Sequence, residues 1–598
     1  MKKLYIVLVL LLSLILTSCS NLTTRTNNNG SGGTTTLENS YAYSLPSDDA
    51  ICETDDMVIL HAYNWTFNNI KSQLKAIKDA GYTAVQTSPV QPPKDYNSSW
   101  TNRTGQWWKL YQPLGFHLPE NTWLGTTEDL KNLCTEADKY HIRVIVDVVT
   151  NHLASKGNDT DHFNEGVEKY ERELYSNQSA YIHQNTGSTT DSSRKSTVIG
   201  NIGMPDLNTS TSKVQERVIA FLKDLIDIGV DGFRFDAAKH IETPDDASEY
   251  KSDYWPNVTS AAYDYYKEKT GMDLYIYAEI LNTPGNGGSF SAYTKYMDIT
   301  DNITSDNTRK YVASSNVTSI VNQTYNTKQD PSQLVVWAES HDTFEDNSSS
   351  SVSSQNINKT WALVESRKDV TGLYLSRPGS TMGSTLDTEY LSTIVKEINN
   401  FHRIFNDYNE EIKSSGNIVY ITKTNNTKNK GIVLVNLSTS NNVSITLDDS
   451  FDGRYIDKVT SKTFEVKNGV LTGTMSSDGV SVLYKEESNS TTTTTTQTQP
   501  TASITITFDP SACSWFLNDG YLPAISINNG EYVMMTKTGN YYTYSTDLTI
   551  TSIKICRKNG NQIYNEATIP LLDSYNGYVF KASSTWSNSN PPGEWKTQ

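Results

Sequence analysis

Short apolar runs rich in β-branched residues recur between Met57 and Leu375, and most of them precede a stretch with helical periodicity. Six runs are strong strand candidates: Met57–Leu60, Thr83–Gln86, Arg143–Val148, Gly232–Asp236, Leu274–Ala278 and Leu334–Ala338. Lys295–Asp298 and Gly372–Leu375 are weaker members of the series, and Ile70–Ala80 and Val218–Ile228 are examples of the intervening helices. Eight strands that alternate with helices predict an α/β fold, a closed (β/α)8 TIM barrel.

One connection is far longer than the others. Residues 152–212, after the third predicted strand, are rich in Asn, Ser, Thr, Asp and Gly. Long loops in compact domains usually serve function, and this one leaves the barrel face on which active sites lie. We therefore predict an inserted domain beside the active site, within a barrel that spans 53–408.

Downstream of the barrel the period changes to short alternating strands, as in Ile418–Thr422, Gly431–Leu437 and Val480–Tyr484. This pattern predicts a β-sandwich over 409–487. A Ser/Thr/Gln-rich run at 488–501 cannot bury apolar surface and is expected to be a linker. Residues 502–598 are then predicted to form a separate small β domain.

The N-terminus has the pattern of an export signal. Lys2 and Lys3 precede an apolar run, Leu4–Leu16, that is too short for a membrane span. The following Leu16-Thr17-Ser18-Cys19 resembles a bacterial lipobox, so we expect cleavage of 1–18, lipidation of Cys19 and a polar tether over 19–52. An ordinary signal peptide with a chance cysteine is the alternative. Either way the chain is exported, and the expected membrane contact is a lipid anchor alone.

Composition narrows the class of ligand. A net charge of -17 disfavours nucleic acid and anionic lipid surfaces. The 36 tyrosines supply flat rings with polar edges, which suit neutral sugars. Cys513 and Cys556 could form a disulfide, although sequence does not fix the pairing, whereas Cys134 lies in a predicted helix and is expected to pack in the core.

Polar residues cluster at four predicted strand ends: Asp147–His152, Gly232–His240, Tyr277–Ile280 and Glu339–Asp342. In this order and placement they resemble the four signature stretches of α-amylases in glycoside hydrolase family 13. Three further stretches extend the resemblance: His61–Trp65, Gln86–Pro89 and Leu110–Pro113. Within the family, the sequence is most similar to the saccharifying bacterial enzymes. The resemblance implies an endo-acting, retaining enzyme that hydrolyses α-1,4 bonds of starch and maltooligosaccharides, acting as a monomer.

The resemblance assigns three catalytic carboxylates. Asp236 is the expected nucleophile, Glu279 the general acid/base, and Asp342 a third carboxylate that binds sugar hydroxyls. Retaining hydrolysis requires the first two about 5–5.5 Å apart. Arg234 lies two residues before Asp236, on the same side of the strand, where it can hydrogen-bond the nucleophile and keep it ionised.

The same resemblance implies further sugar contacts. His152 and His341 are expected to hydrogen-bond the central sugar, with Tyr111 stacked beneath it and Gln112 beside it. Lys239 and His240 match the pair that holds the leaving-group side, which favours α-1,4 over α-1,6 cleavage.

A calcium ion is implied between the barrel and the long loop, bound by oxygen ligands. The matching positions are Asn151, Asp206 and the backbone carbonyl of His240. The stretch Ser192–Gly203 has no Asp where related enzymes offer another carboxylate. A carbonyl or water has to substitute there, and calcium could bind weakly.

The terminal domain resembles starch-binding modules loosely, with Trp515 and Trp586 as candidate sugar platforms. Two rival functions remain open. One is a glucanotransferase or maltooligosaccharide-forming amylase, which differs in how well water competes for the intermediate. The other is a non-catalytic, starch-binding surface lipoprotein with a degenerate barrel, which the presence of all three acids disfavours.

Overall fold

The computed structural model divides into two compact units, residues 1–488 and 489–598. It describes residues 52, 54, 57–120, 122–425, 430–439, 441–486, 504–513, 515–528, 532–546, 550, 552–559, 562–572, 575, 578–584, 586 and 592–597. The predicted signal segment, Cys19 and the predicted linker at 488–501 lie outside the described residues. Within that part of the chain, none of the helices combines the length and apolar character that a bilayer crossing requires.

Eight parallel strands close into the predicted barrel, each paired with its neighbours in chain order. The strands β1 to β8 are Val58–Ala62, Ala84–Thr87, Arg143–Val149, Gly232–Asp236, Tyr275–Ala278, Asp298–Thr300, Leu334–Trp337 and Thr371–Leu375. Some of their buried apolar side chains fill the inside of the barrel, and others pack against the surrounding helices. The longer helices α1 to α7 are Phe67–Asp79, Thr127–Asp138, Ser212–Asp227, Tyr254–Thr270, Asn302–Ala313, Ser354–Glu365 and Thr393–Phe405.

The sixth strand lies further along the chain than predicted. It spans Asp298–Thr300, whereas Lys295 caps the short helix Ser291–Thr294. Ile299 and Thr300 pair with β7 and are buried, while the Lys295 ammonium forms a surface ion pair. The prediction of Lys295–Asp298 was therefore wrong by about one strand length, because the buried residues of this strand are Ile299 and Thr300.

The inserted segment, residues 152–212, is folded rather than irregular throughout. It holds a small hairpin, Ser155–Lys156 with Asp159–Phe163, and the short helices Val167–Tyr170, Arg172–Ser176, Gln178–Tyr181 and Arg194–Ile199. Leu174, Ile182 and Leu207 join the main hydrophobic core, so the segment packs onto the barrel. Other short helices are Val317–Val321 and His341–Glu345, and 3-10 turns cover Arg103–Gly105, Trp107–Tyr111, Ala238–His240, Pro331–Gln333, Glu389–Leu391, Asp449–Phe451 and Asn518–Gly520.

An eight-stranded antiparallel sheet follows the barrel within the first unit. Its strands β9 to β16 are Asn409–Ser415, Ile418–Thr424, Lys430–Asn436, Asn442–Thr446, Gly453–Asp457, Thr463–Lys467, Val470–Thr474 and Val480–Lys485. Side chains from its early and late strands, such as Ile432 and Phe464, share one core. The sheet is thus folded over itself as a β-sandwich, as predicted.

The second unit is a small β domain with one five-stranded and one four-stranded sheet. Its strands β17 to β25 are Ile504–Asp509, Leu522–Ile527, Val533–Met534, Thr536–Thr538, Tyr541–Thr546, Ile553–Asn559, Gln562–Ile569, Tyr578–Ala582 and Gly593–Thr597. The core between the sheets is aromatic-rich and includes Phe508, Phe516 and Phe580.

The structure corrects one assignment in this unit. Trp586 is only 2% exposed, packs edge-on against Phe508 and Phe516, and donates its indole N–H to the Asn565 carbonyl at 2.7 Å. A ring enclosed in this way cannot stack on a sugar. Trp586 is therefore a core residue, whereas Trp515 is only half-buried.

Three buried cysteines, Cys134, Cys513 and Cys556, are free thiols. Cys513 and Cys556 are both buried and do not form a disulfide. Cys134 is buried in α2, as predicted, and its Cβ lies against Gly229. Burial raises the pKa of Cys134 well above the ordinary thiol range and that of Cys556 to about 12.

Candidate active site

Barrel topology brings the predicted acids to one rim. Strand β3 carries Asp147, β4 carries Arg234 and ends at Asp236, and Glu279 directly follows β5. In the strand register Val149 lies beside Asp236, and Phe235 lies beside Ala278. Residues at these ends are thus neighbours in space although their positions in the chain are far apart.

The Arg234 guanidinium is the centre of the site. Its Nη1 lies 2.8 Å from both Asp147 oxygens and 2.7 Å from Asp236 Oδ1, and its Nη2 lies 2.9 Å from Glu279 Oε2. All four side chains are almost fully buried. One cation therefore orients three carboxylates, including both predicted to do the chemistry.

This arrangement has an excess of negative charge. Burial raises the pKa of Asp236 well above the usual carboxyl range and that of Asp147 to about 6, and the charge of Arg234 opposes both shifts. One guanidinium does not neutralise three ionised carboxylates in a buried site. Burial and mutual repulsion consequently favour the protonated forms of Asp236 and Asp147 more than they are favoured in water.

Glu279 is fixed by the backbone as well as by Arg234. The Ala237 N–H donates to Glu279 Oε2 at 2.9 Å. Ala237 has a φ of 50°, a left-handed conformation that is unfavourable for alanine and turns the chain directly after Asp236. The strained turn thus links the position of the nucleophile to that of the acid.

Asp342 lies in the first turn of the helix His341–Glu345, whose N-cap is Ser340. Its side chain is 45% exposed, so it faces open space at the rim. Although the carboxyl is partly exposed, desolvation by the surrounding protein raises the pKa of Asp342, and the charge of Arg234 and a hydrogen bond with Glu279 oppose that shift. The third acid is thus in contact with the second, and its predicted role in binding sugar hydroxyls stays a prediction.

An aromatic wall stands beside these acids. The rings of Tyr111 and His341 are stacked, with centroids 5.4 Å apart and planes 9° apart, and the Tyr111 hydroxyl donates to Asp147 Oδ2 at 3.1 Å. His61 and Tyr63 pack edge-on or tilted against His341. His152 contacts this wall through its Nε2, which lies 2.9 Å from the Tyr111 carbonyl oxygen.

Burial lowers the pKa of His152 to about 4 and that of His341 to about 3. Both rings are therefore neutral at pH 7 and suited to uncharged hydroxyls. Gln112 follows Tyr111, and its side-chain carbonyl is buried without a hydrogen-bond partner among the described residues.

Lys239 and His240 form the opposite side of the rim and contact the inserted segment. Lys239 Nζ lies 2.9 Å from Asp191 Oδ1. His240 Nδ1 lies 2.8 Å from the Thr197 carbonyl, and burial lowers its pKa to about 4.

Two predicted calcium ligands lie together. The Asn151 carbonyl accepts from the Leu207 N–H at 2.9 Å, next to Asp206 in the chain. Asp206 is buried, its Oδ2 lies 2.8 Å from His183 Nδ1, and its Oδ1 has no hydrogen-bond partner among the described residues. An unpartnered carboxylate oxygen beside an amide fits a hard cation. Over the described ranges, no group of three or more His, Cys, Asp or Glu side chains forms a metal site.

Several site residues were missed by sequence reasoning. Asp147 opens the first signature stretch and could have been found there, but a carboxylate inside a buried strand is easily interpreted as structural. His61 and Tyr63 belong to a quoted stretch without an assigned role. His183, which lies between buried Asp206 and Glu242, carries no signal in the sequence at all.

Comparison with known proteins agrees with this geometry. Residues 61–283 match the family model described as "Alpha amylase, catalytic domain". An α-amylase of Clostridium acetobutylicum is 33% identical over 92% of the chain and 68% of its own length. The chain belongs to the α-amylase family. It is a glycoside hydrolase.

Other α-amylases share parts of the sequence or the fold. An α-amylase of Butyrivibrio fibrisolvens is 31% identical over 74% of this chain, which spans about half (48%) of that relative. The crystal structure of α-amylase I from Eisenia fetida covers 73% of the chain and 99% of its own with 18% identity and a TM-score of 0.59. That of the Geobacillus thermoleovorans α-amylase complexed with acarbose covers 73% and 100%, with 15% identity and a TM-score of 0.57. At such identities the likeness of the solved structures concerns the fold.

Proposed function

We propose that this α-amylase hydrolyses internal α-1,4 bonds of starch and maltooligosaccharides with retention of configuration. The observation that carries the proposal is the Arg234 centre, which holds Asp236 and Glu279 on one rim with Asp342 in contact. Family membership supports the substrate class.

The geometry supports a two-step displacement. The Asp236 carboxylate attacks the anomeric carbon while Glu279 gives its proton to the glycosidic oxygen, so that the bond to the leaving sugar breaks. Glu279, now ionised, takes a proton from water, which attacks the same carbon and releases Asp236. Arg234 keeps both carboxylates in place during both steps.

Chromatography of products from soluble starch over time tests this function. Early oligosaccharides of several lengths, with an α anomer seen first by NMR, are expected. Products longer than a supplied maltoheptaose would instead favour the glucanotransferase alternative, and no release of reducing ends would favour a non-catalytic binding protein.

Calcium binding is a further part of the proposal. Asn151, Asp206 and the His240 carbonyl would hold the ion, which would fasten the inserted segment to the barrel. The unpartnered Asp206 Oδ1 supports it. An ion bound by the native state alone raises stability by mass action. EDTA should therefore lower the melting temperature and calcium should restore it. An unchanged melting temperature would contradict calcium binding.

The terminal unit is proposed to bind starch through partly exposed rings. Arg557 lies over Trp515 and Tyr521, at 5.2 and 4.7 Å, and Tyr564, 51% exposed, packs edge-on against Tyr521. Rings fixed in this way can stack on glucose units. In granule pull-downs of the full chain, Trp515→Ala and Tyr564→Ala should bind less than wild type. Equal binding would refute this surface.

Export and anchoring through Cys19 are proposed on the lipobox-like stretch alone. Cys19→Ser should release the enzyme from the membrane fraction. A wild-type protein without lipid by mass spectrometry would contradict the anchor. We also propose a monomer, which light scattering of the solubilised protein tests.

A further inference from the structure

Arg194, in the inserted segment, makes contacts that neither the signature stretches nor the catalytic centre explains. Its guanidinium is 3% exposed, and its Nε and Nη2 bind the two oxygens of Asp246 at 2.8 and 2.9 Å. The remaining bonds go to the carbonyls of Lys239 at 2.9 Å, Ile241 at 3.2 Å and Pro284 at 2.8 Å, and to the Tyr293 hydroxyl at 2.8 Å.

These bonds join three segments: the inserted segment that holds Arg194, the turn after Asp236 and the loop after Glu279. Lys239 and Ile241 belong to the turn that follows Asp236, and Pro284 belongs to the loop that follows Glu279. The Arg194 N–H also donates to the Asn286 carbonyl at 2.7 Å. A single buried cation therefore holds the inserted segment against the loops behind both catalytic acids.

The fit between these loops is close. A Cβ added at Gly285, which has a φ of 87°, would lie 2.1 Å from Thr197 Oγ1, and one at Gly288 would lie 2.9 Å from Arg194 Cδ. A side chain at either glycine would therefore clash, which shows how closely this loop approaches the inserted segment. The Arg194 bonds thus lie in a tightly packed contact.

The same stretch contacts the side chains at the rim. Asp191 binds Lys239 Nζ, the Thr197 carbonyl binds His240 Nδ1, and Thr189 Oγ1 lies 3.3 Å from the same nitrogen. Backbone and side chain of the Lys239–His240 pair are therefore held by residues 189–197 of the inserted segment.

We propose that Arg194 is a positioning residue for the leaving-group side of the cleft, which places Lys239 and His240 to receive the sugar beyond the scissile bond. Asp191 acts with it by orienting the Lys239 ammonium. The inference rests on the proposed function, since it concerns which sugar units the cleft binds. Misplacing a contact by about 1 Å is enough to lower a rate about 10²-fold.

The test compares substrates that do and do not place sugar on that side. Maltoheptaose fills both sides of the cleft, whereas 4-nitrophenyl maltotrioside, cleaved at its aryl bond, leaves only nitrophenol there. Arg194→Lys keeps the charge but not the forked geometry. We expect kcat/KM on maltoheptaose to fall about 10- to 100-fold and that on the aryl substrate to fall much less.

A partition measurement separates binding from proton transfer. Maltotriose added as acceptor competes with water for the glycosyl intermediate formed from the aryl substrate, and Glu279 serves as base in both reactions. The ratio of transfer to hydrolysis should fall in Arg194→Lys. Arg217→Lys is the matched control, since Arg217 also forms a forked pair, with Glu171, and its other contacts are with Phe116 and His117. This variant should leave the ratio of transfer to hydrolysis and the relative kcat/KM on the two substrates unchanged.

Asp191→Asn keeps Arg194 in place, so it tests the positioning of Lys239 even if Arg194→Lys fails to fold. It should give the same selective loss on maltoheptaose, in a smaller amount, with a wild-type melting temperature. Equal losses on both substrates, or none on either, in the folded variants would overturn the proposal. A wild type inactive on both substrates would instead refute the proposed function.

Discussion

The catalytic rim and the terminal unit use aromatic and charged residues in different ways. At the rim, buried polar groups are held by other polar groups, with Arg234 bound to three carboxylates and Tyr111 bound to Asp147. In the terminal unit an enclosed aromatic ring, Trp586, belongs to the apolar core, and the rings against Arg557, those of Trp515 and Tyr521, are half-buried.

The difference shows what burial means in each region. A buried carboxylate is unfavourable unless it is bound by a partner, so its presence at the rim indicates chemistry. A buried tryptophan is favourable by itself, so its presence in a small domain indicates stability. Removing either kind of residue should therefore affect different measurements.

The largest effect is expected from the catalytic acids. Asp236→Asn removes the nucleophile and Glu279→Gln removes the acid/base, so each should lower kcat about 10²- to 10⁴-fold or more. Release of reducing ends from soluble starch measures the loss, and circular dichroism checks the fold. Glu171→Gln, which changes a buried carboxylate paired with Arg217, should retain activity. Near-normal turnover by either acid variant would remove it from the mechanism.

Trp586→Ala should have its effect on stability instead. Truncating a buried tryptophan costs about 3–5 kcal/mol, enough to unfold a small domain. Turnover of maltoheptaose should persist while granule binding is lost. Trp515→Ala, by contrast, should leave the melting transition of the terminal unit nearly unchanged. A stable Trp586→Ala domain would show that the ring is not a core residue.

A smaller effect is expected on the pH profile. Burial and the neighbouring acids raise the pKa of Asp236, so activity should be lost as the pH falls through that raised value and the nucleophile gains a proton. Asp147→Asn removes one negative charge beside Asp236, which lowers its pKa. The acidic limb of kcat/KM on the aryl substrate should move down by about one pH unit or less. A limb that moves upward would contradict the charge coupling.

Much of the barrel was predictable, because buried parallel strands are continuous apolar runs that differ plainly from their helices. The sixth strand was misplaced because it is only three residues long. The acids at the rim were found because the stretches that hold them, at or near the ends of strands, resemble the signature stretches of the family. The Arg194 contacts were beyond sequence reasoning, since they join residues 45 to 99 positions apart with no periodic pattern between them.

The terminal unit was less predictable for a physical reason. Its strands are short, and residues 562–565 at the start of β23 are exposed on both faces, so alternation does not separate core from surface. Trp515 and Trp586 looked equivalent in sequence. Burial separates their roles: Phe508 and Phe516 both pack against the enclosed Trp586, whereas Trp515 stacks on Phe516 and stays half-buried.

The free, buried cysteines give each compact unit its own chemical reporter. Cys134 lies in the barrel unit, and Cys513 and Cys556 lie in the terminal unit. A thiol reagent reaches such groups only when the surrounding structure opens, so the rate of alkylation measures local unfolding. Peptide mapping after timed alkylation would thus follow the opening of the two units separately in one wild-type sample.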